Sequence, residues 1–182
     1  MTAPQPDIDL ANLPRFLDHL GRPERDADAA AFARLLLDEG CQVEVFWGPL
    51  QMDVWQLTVS RGRRWATFRV ERGFAEAVRV GTPAEPDEAS IPLRLAVLGW
   101  ARSTRVDFSF DDPDTMRGDL LAYGIPALDW LDAGNDEALA RIWAAWRRYR
   151  HGDFREARRD PERMRRMKTE GLRMIEEAAS PR

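Results

Sequence analysis

Hydrophobic positions along the chain change their spacing twice. Near the start they recur every three or four residues: Leu13, Phe16, Leu17 and Leu20, then Ala29, Phe32, Leu35 and Leu36. Each set lines one face of a helix. Asn12 can cap the first helix and Gly21 end it. The second spans about residues 26–39, with Gly40 just past its end, where a left-handed residue is favoured. From Cys41 the period falls to two. Val43, Val45 and Trp47, then Trp55, Leu57 and Val59, then Ala66, Phe68 and Val70 alternate with residues of an opposite face. Gly48-Pro49, the Ser60 to Arg63 stretch and Arg72-Gly73 mark turns, and Phe74, Val78 and Val80 carry the pattern on. Short connections make consecutive strands antiparallel neighbours, so residues 42–80 read as a four-stranded meander.

Beyond a loop at 81–90, residues 91–101 fit two patterns. Ile91, Leu93, Leu95 and Val97 alternate as in a strand, while the run to Ala101 suits a buried helix capped by Ser90. Length and the Ala and Leu content favour the helix. Val106, Phe108 and Phe110 predict a fifth strand returning to the sheet. Asp112-Pro113-Asp114 reads as a helix cap, residues 126–133 as one more short turn of helix, and Asn135 as the cap of a helix over 136–150. That helix carries Leu139, Ile142, Trp143, Trp146 and Tyr149 on one face. Asp160-Pro161-Glu162 opens a last helix to about residue 178. Its stripe is loose and broken at Gly171, which marks it as the most weakly tethered element. The pattern predicts an α+β fold: two N-terminal helices, an antiparallel meander of about five strands and a helical C-terminal third. Residues 1–9 read as a flexible N-terminus, 10–134 as the α+β domain, and 135–182 as a basic helical extension packed on or beside it.

The face bearing Val43, Val45, Trp47, Trp55, Leu57, Val59, Ala66, Phe68 and Val70 is the expected core face. The opposite face holds Phe46, Val54 and Trp65, and is less polar than a sheet wetted on one side usually is. Its expected cover is the C-terminal helices, a second copy of the chain or a partner. Phe46, Val54 and Trp65 are therefore the candidate protein-contact residues.

Composition narrows the class. A chain of 182 residues with 44% apolar and 32% charged residues has the makings of one domain with its own core. The lone Cys41 cannot form an internal disulfide, which points to a reducing, cytoplasmic setting. No apolar run reaches membrane-spanning length, and residues 1–9 lack the features of a signal peptide. The formal net charge of -4 hides a split: residues 1–140 carry 14 Arg against 24 Asp and Glu, a net of -10, while residues 141–182 carry 12 Arg and Lys168 against 7 Asp and Glu, a net of +6. Such asymmetry points to a partner or to internal docking. Arg in place of Lys, with frequent Ala, leans towards a bacterial composition. The order of elements resembles that of small bacterial chaperone-like and immunity-protein folds, in architecture alone.

Candidate chemistry is sparse. His19 and His151 lie far apart, and no His/Cys cluster has metal-ligand spacing. Cys41 follows a helix C-terminus, whose dipole opposes a thiolate. Phosphate-cradling glycine loops and the nucleophile elbow are missing. Asp111, Asp112, Asp114 and Asp119 read as a cap and charged first turn in preference to a cation site. Glu44 and Asp53, near the first hairpin, are a carboxylate pair that folding could bring together. No catalytic, metal or cofactor-binding residue is expected, and no cofactor. The chain reads as a non-enzymatic cytosolic interaction or regulatory module (adaptor-, chaperone- or immunity-like), its partner another protein or a second copy of itself. The alternative is nucleic-acid binding. Arg141, Arg147, Arg148, Arg155, Arg158, Arg159, Arg165 and Arg166 lie among Trp143, Trp146, Tyr149 and Phe154, and Arg grips phosphate while rings stack on bases. Against it, the rings share an apolar helix stripe, and the pI near 5.3 is far from that of a dedicated nucleic-acid domain. The same arginines suit docking on an acidic partner.

Overall fold

Three long strands and the turns between them set the frame for everything else. The structure, a computed structural model, describes residues 10–82, 91–110, 119–150 and 160–181. The expected cap at Asp112-Pro113 lies outside them. After a short 3-10 turn come helices α1 (Leu13–Leu20) and α2 (Ala27–Asp38), then strands β1 (Gln42–Leu50), β2 (Val54–Arg61) and β3 (Arg64–Glu71). Two short strands follow, β4 (Phe74–Ala75) and β5 (Arg79–Gly81), and both pair with β3. Residues 91–101 resolve their ambiguity by serving both patterns: β6 (Ile91–Pro92) pairs with β5 and runs straight into helix α3 (Leu93–Thr104). The remaining described helices are α4 (Asp119–Asp132), α5 (Asp136–Arg150) and α6 (Pro161–Ala179). The antiparallel sheet runs β1-β2-β3-β5-β6, with β4 beside β3. The fold is α+β, with its two helices, sheet and C-terminal helices in the expected order.

Two local expectations fail for physical reasons. Residues 106–110 form no strand. Helix α3 ends with Arg105 in the left-handed region (φ 58°) and Val106 donating back to the Ala101 carbonyl at 2.9 Å, a turn that directs the chain along the helix layer. Phe108 and Phe110 are buried there, with Phe108 edge-on to Tyr123 at 5.8 Å between ring centres, and the Phe108 carbonyl accepts from Arg102. Their alternation reports burial without pairing. Similarly, α4 runs unbroken through Pro126, where a short turn over 126–133 was expected. The Asp28 carboxylate accepts the Leu120 and Leu121 N–H groups and so caps its first turn.

Sheet register carries the main correction. Val43 faces Val59, yet Val45 faces Thr58, so β1 gains an extra residue around Glu44. Such a bulge turns over the side chains that follow it, here as far as a second shift between Trp47 and Leu50. Phe46 therefore lies opposite Leu57 on the core face, and Val45 and Trp47 move to the other face.

Helices cover the core face. Phe16 of α1 meets Phe46 and Trp55 at 5.9 and 5.8 Å, and Phe32 of α2 meets Phe68 at 6.0 Å. Leu93, Leu95, Ala96, Val97, Leu98 and Ala101 of α3 are all fully buried. Helices α5 and α6 pack against each other and against α3. Their Leu139, Ile142, Trp146, Ile175 and Ala179 join the same hydrophobic cluster as the sheet residues. Arg102 of α3 grips the Glu176 carboxylate of α6 through two contacts of 2.7 Å. Gly171 is the buried seat of the Tyr149 ring: a Cβ there would lie 2.1 Å from the ring's Cδ2. The break in the stripe of α6 is thus a point of attachment.

Candidate functional site

Cross-strand partners share a face, so the register defines the side of the sheet that turns away from the core. Trp47 lies opposite Gln56, Leu50 opposite Val54, Gln56 opposite Arg69, Thr58 opposite Thr67, Ser60 opposite Trp65 and Glu71 opposite Phe74. The centre of this face is closed: Gln56 and Thr58 are 7% and 2% exposed, and the Thr58 and Thr67 hydroxyls meet at 3.1 Å. One end is open. Leu50 is 58% exposed and Phe74 75%, and Met52, in the turn between β1 and β2, is 60% exposed. These are three of the five large hydrophobic residues that stand exposed among the described residues, and they sit on two adjoining turns.

Both turns are held from behind. Arg72 N–H donates to the Met52 carbonyl at 3.1 Å, which ties the β3–β4 turn to the β1–β2 turn. Arg25, in the turn between α1 and α2, donates to the Gly73 carbonyl at 3.0 Å and to the His19 carbonyl at 2.7 Å. Its guanidinium also reaches Asp53 at 3.4 Å. Asp53 accepts the Trp55 indole N–H at 2.9 Å on one oxygen and meets His19 Nε2 at 2.8 Å on the other. Burial pushes the Asp53 carboxyl up, but the hydrogen bonds from Trp55 and His19 and the charges of His19 and Arg25 together hold it below the usual carboxylate value. Met52, Asp53 and Arg72 adopt φ of 66°, 58° and 53°, a region that residues other than glycine seldom occupy. Such conformations persist where surrounding contacts over-determine them. With both Asp53 oxygens engaged, the His19–Asp53–Arg25 cluster fixes the turns in place.

The structure sorts the residues expected from sequence. Phe46, expected on the contact face, is 1% exposed and belongs to the core, because the bulge turns it inward. Val54 and Trp65 do lie on the outward face and are half-buried, Val54 beside Leu50 at the open end and Trp65 towards the other end, opposite Ser60 and Gly81. Leu50, Met52 and Phe74 were missed. The available signal was apolar side chains inside or beside turn residues, where a turn normally carries polar ones. Glu44 and Asp53 form no pair: Glu44 accepts from the Ser60 hydroxyl at 2.6 Å, at the opposite end of the β1–β2 hairpin from Asp53.

Among the arginines, Arg147, Arg148, Arg165 and Arg166 are exposed and Arg141 is half-buried. Arg155, Arg158 and Arg159 lie outside the described residues. Arg147 lies over the Trp143 ring at 5.5 Å and Arg150 over Trp146 at 5.1 Å. Trp143 and Trp146 stack on one another at 4.8 Å, and Trp146 is buried. Trp146 thus belongs to the core, and half-buried Trp143 packs against it beneath Arg147. Arg141 and Arg148 line a groove of about 370 Å³ between α5 and α6.

Among the described residues no group of three or more His, Cys, Asp or Glu converges as metal ligands would, and no helix is long and apolar enough to cross a membrane. Comparison with protein-family models, with curated proteins and with solved structures finds no match to this chain.

Proposed function

We propose that the chain is a non-enzymatic protein-interaction module that docks a partner protein on the open end of its sheet. The observation that carries this reading is the exposure of Leu50, Met52 and Phe74 on two turns pinned by Arg25 and Asp53. Methionine and aromatic side chains are favoured at interface centres, and burying them is the main favourable term in association. A turn already held in place loses little freedom on binding, so more of that term appears as affinity. Val54 extends the patch along β2, and Trp65 supplies a second ring further along the same face. A reducing, cytoplasmic setting accords with the single free Cys41.

The test is a photo-reactive phenylalanine analogue placed at 52 or 74 in cells, with position 137 on exposed α5 as control. A discrete adduct with one other protein at 52 and 74, absent at 137, is expected. Phe74→Asp should then abolish binding of that purified partner, and Trp65→Glu weaken it, without lowering the melting temperature. No adduct at either patch position overturns the reading.

A second reading, nucleic-acid binding, is supported by Arg147, Arg148, Arg165 and Arg166, which are exposed and make no ion pair among the described residues. Phosphate contacts release counterions, so that reading requires affinity that falls steeply with salt and weakens on Arg147→Glu and Arg148→Glu for any sequence.

A further inference from the structure

We infer that the groove between α5 and α6 is a binding site for a small organic oxyanion, a phosphate or carboxylate headgroup carried on a short apolar body. On α5, Arg141, Ala144, Ala145 and Arg148 follow the i, i+3, i+4, i+7 spacing of a single helix face. Two arginines seven residues apart are separated by about 10 Å along the helix, at 1.5 Å per residue. Two alanines between them leave the floor low, so both guanidinium groups can close on one anion lying across it. Neither arginine makes an ion pair or hydrogen bond with another described residue. Across the groove stand Met174 and Ala178 of α6, which supply apolar wall, and Ser180, whose hydroxyl is directed to the Glu176 carbonyl at 3.1 Å. Glu177 also lines the groove, but its carboxylate is held by Arg173 one turn earlier on the same helix.

Size and chemistry agree. A volume of about 370 Å³ lies at the small end of ligand sites, which run from about 300 to 1,000 Å³. Guanidinium pairs favour planar or tetrahedral oxyanions, to which they donate two parallel hydrogen bonds each. The alanine and methionine surface between them adds nothing for a bare inorganic ion and does favour an attached hydrocarbon. An extended nucleic-acid strand would track the exposed arginines outside the groove. A site of this kind is independent of the Leu50, Met52 and Phe74 patch, which lies on the sheet.

The experiment is calorimetric titration of the full chain with hexyl phosphate and hexanoate, beside inorganic phosphate, hexanol and hexyltrimethylammonium. Saturable one-to-one binding of a hexyl anion is expected, with the phosphate and carboxylate arms identifying the preferred headgroup. Arg141→Gln and Arg148→Gln should each weaken it by about tenfold or more, the usual loss for a charged hydrogen-bond donor. Ala144→Leu, which fills the floor, should also weaken it, and Arg165→Gln should leave it unchanged. Each variant is checked by its melting curve, and loss of binding in a variant that melts as the parent does supports the site. The inference is overturned if neither hexyl anion binds, if binding survives both glutamine substitutions, or if inorganic phosphate binds as tightly as hexyl phosphate. It is overturned equally if the chain binds only single-stranded oligonucleotides and does so through Arg165 and Arg166.

Discussion

Gly171 shows how a single missing side chain can anchor a helix. Glycine inside a helix costs about 1 kcal/mol relative to alanine, so propensity alone predicts that Gly171→Ala stabilises the chain. The Tyr149 ring occupies the space an alanine Cβ would need, with Cδ2 at 2.1 Å from that position. Overpacking of this kind costs about 1–3 kcal/mol, so Gly171→Ala is expected to destabilise by about 1–2 kcal/mol in chemical denaturation. Adding Tyr149→Ala should remove most of that penalty, and an additive pair would show that the two do not touch. The stripe of α5 was legible from sequence because Leu139, Ile142 and Trp146 fill their own positions. The seat at Gly171 was not, because periodicity counts side chains and takes a glycine for a gap. Gly99 and Gly124 hide their contacts in the same way, meeting Trp130 and Phe32 within 2.6 and 2.5 Å of a would-be Cβ.

At the scale of elements, the β2–β3 hairpin is clamped onto the C-terminal end of α4. Arg61 holds Asp129 at 2.7 Å, the Arg63 N–H and guanidinium hold Asp132 at 2.9 and 3.3 Å, and buried Arg64 donates to Asp136 and to the Leu131 carbonyl, each at 2.8 Å. Cations at a helix C-terminus also complement its dipole. The hydrogen bond from Arg64 holds the Asp136 carboxyl below its ordinary value of 3.8 against the opposing effect of burial, and the Arg63 backbone N–H does the same for Asp132. A carboxyl that is more acidic folded than unfolded stabilises the fold above its unfolded value and loses that contribution as pH falls through the folded one. Melting temperature should therefore hold steady from neutral pH to about 5 and drop below about 4, with Asp53 contributing in the same sense. Asp136→Asn should lower the plateau and flatten the acid limb, and an unchanged limb would show that the clamp does not titrate with folding. Arg64→Leu should cost about 1–3 kcal/mol at neutral pH, since it removes the charged donor that binds both the Asp136 carboxylate and the Leu131 carbonyl. Strand existence was readable here from period and turn residues. The faces of β2 and β3 were readable as well, but that of mid-β1 was not, because one extra residue near Glu44 reverses inward and outward positions as far as a second shift before Leu50, and a count by twos carries no mark of an insertion.

For the whole molecule, the charge split misleads about how the parts join. The basic C-terminal stretch meets the acidic remainder through Arg102 and Glu176, a pair that runs against the net charge of each side. Apolar burial on α3 does the joining, through Ile142, Trp146, Ile175 and Ala179. A chain ending at Gly134 would expose that face of α3. It should melt at lower temperature or without cooperativity and bind a hydrophobic dye. A sharp, dye-free melt in the shortened chain would establish residues 135–182 as a separable extension. The overall class was legible because helices and strands differ in period over long stretches. The open patch was not, since it exists only where two distant turns meet. That meeting depends on Arg25, which reaches Gly73 across 48 positions of chain and Asp53 across 28. A nascent or half-assembled chain lacks the alignment of Leu50, Met52 and Phe74 until the α1–α2 turn and both hairpin turns have closed together. Under the proposed docking function, the surface offered to a partner is a certificate of completed folding, withheld from immature copies during synthesis.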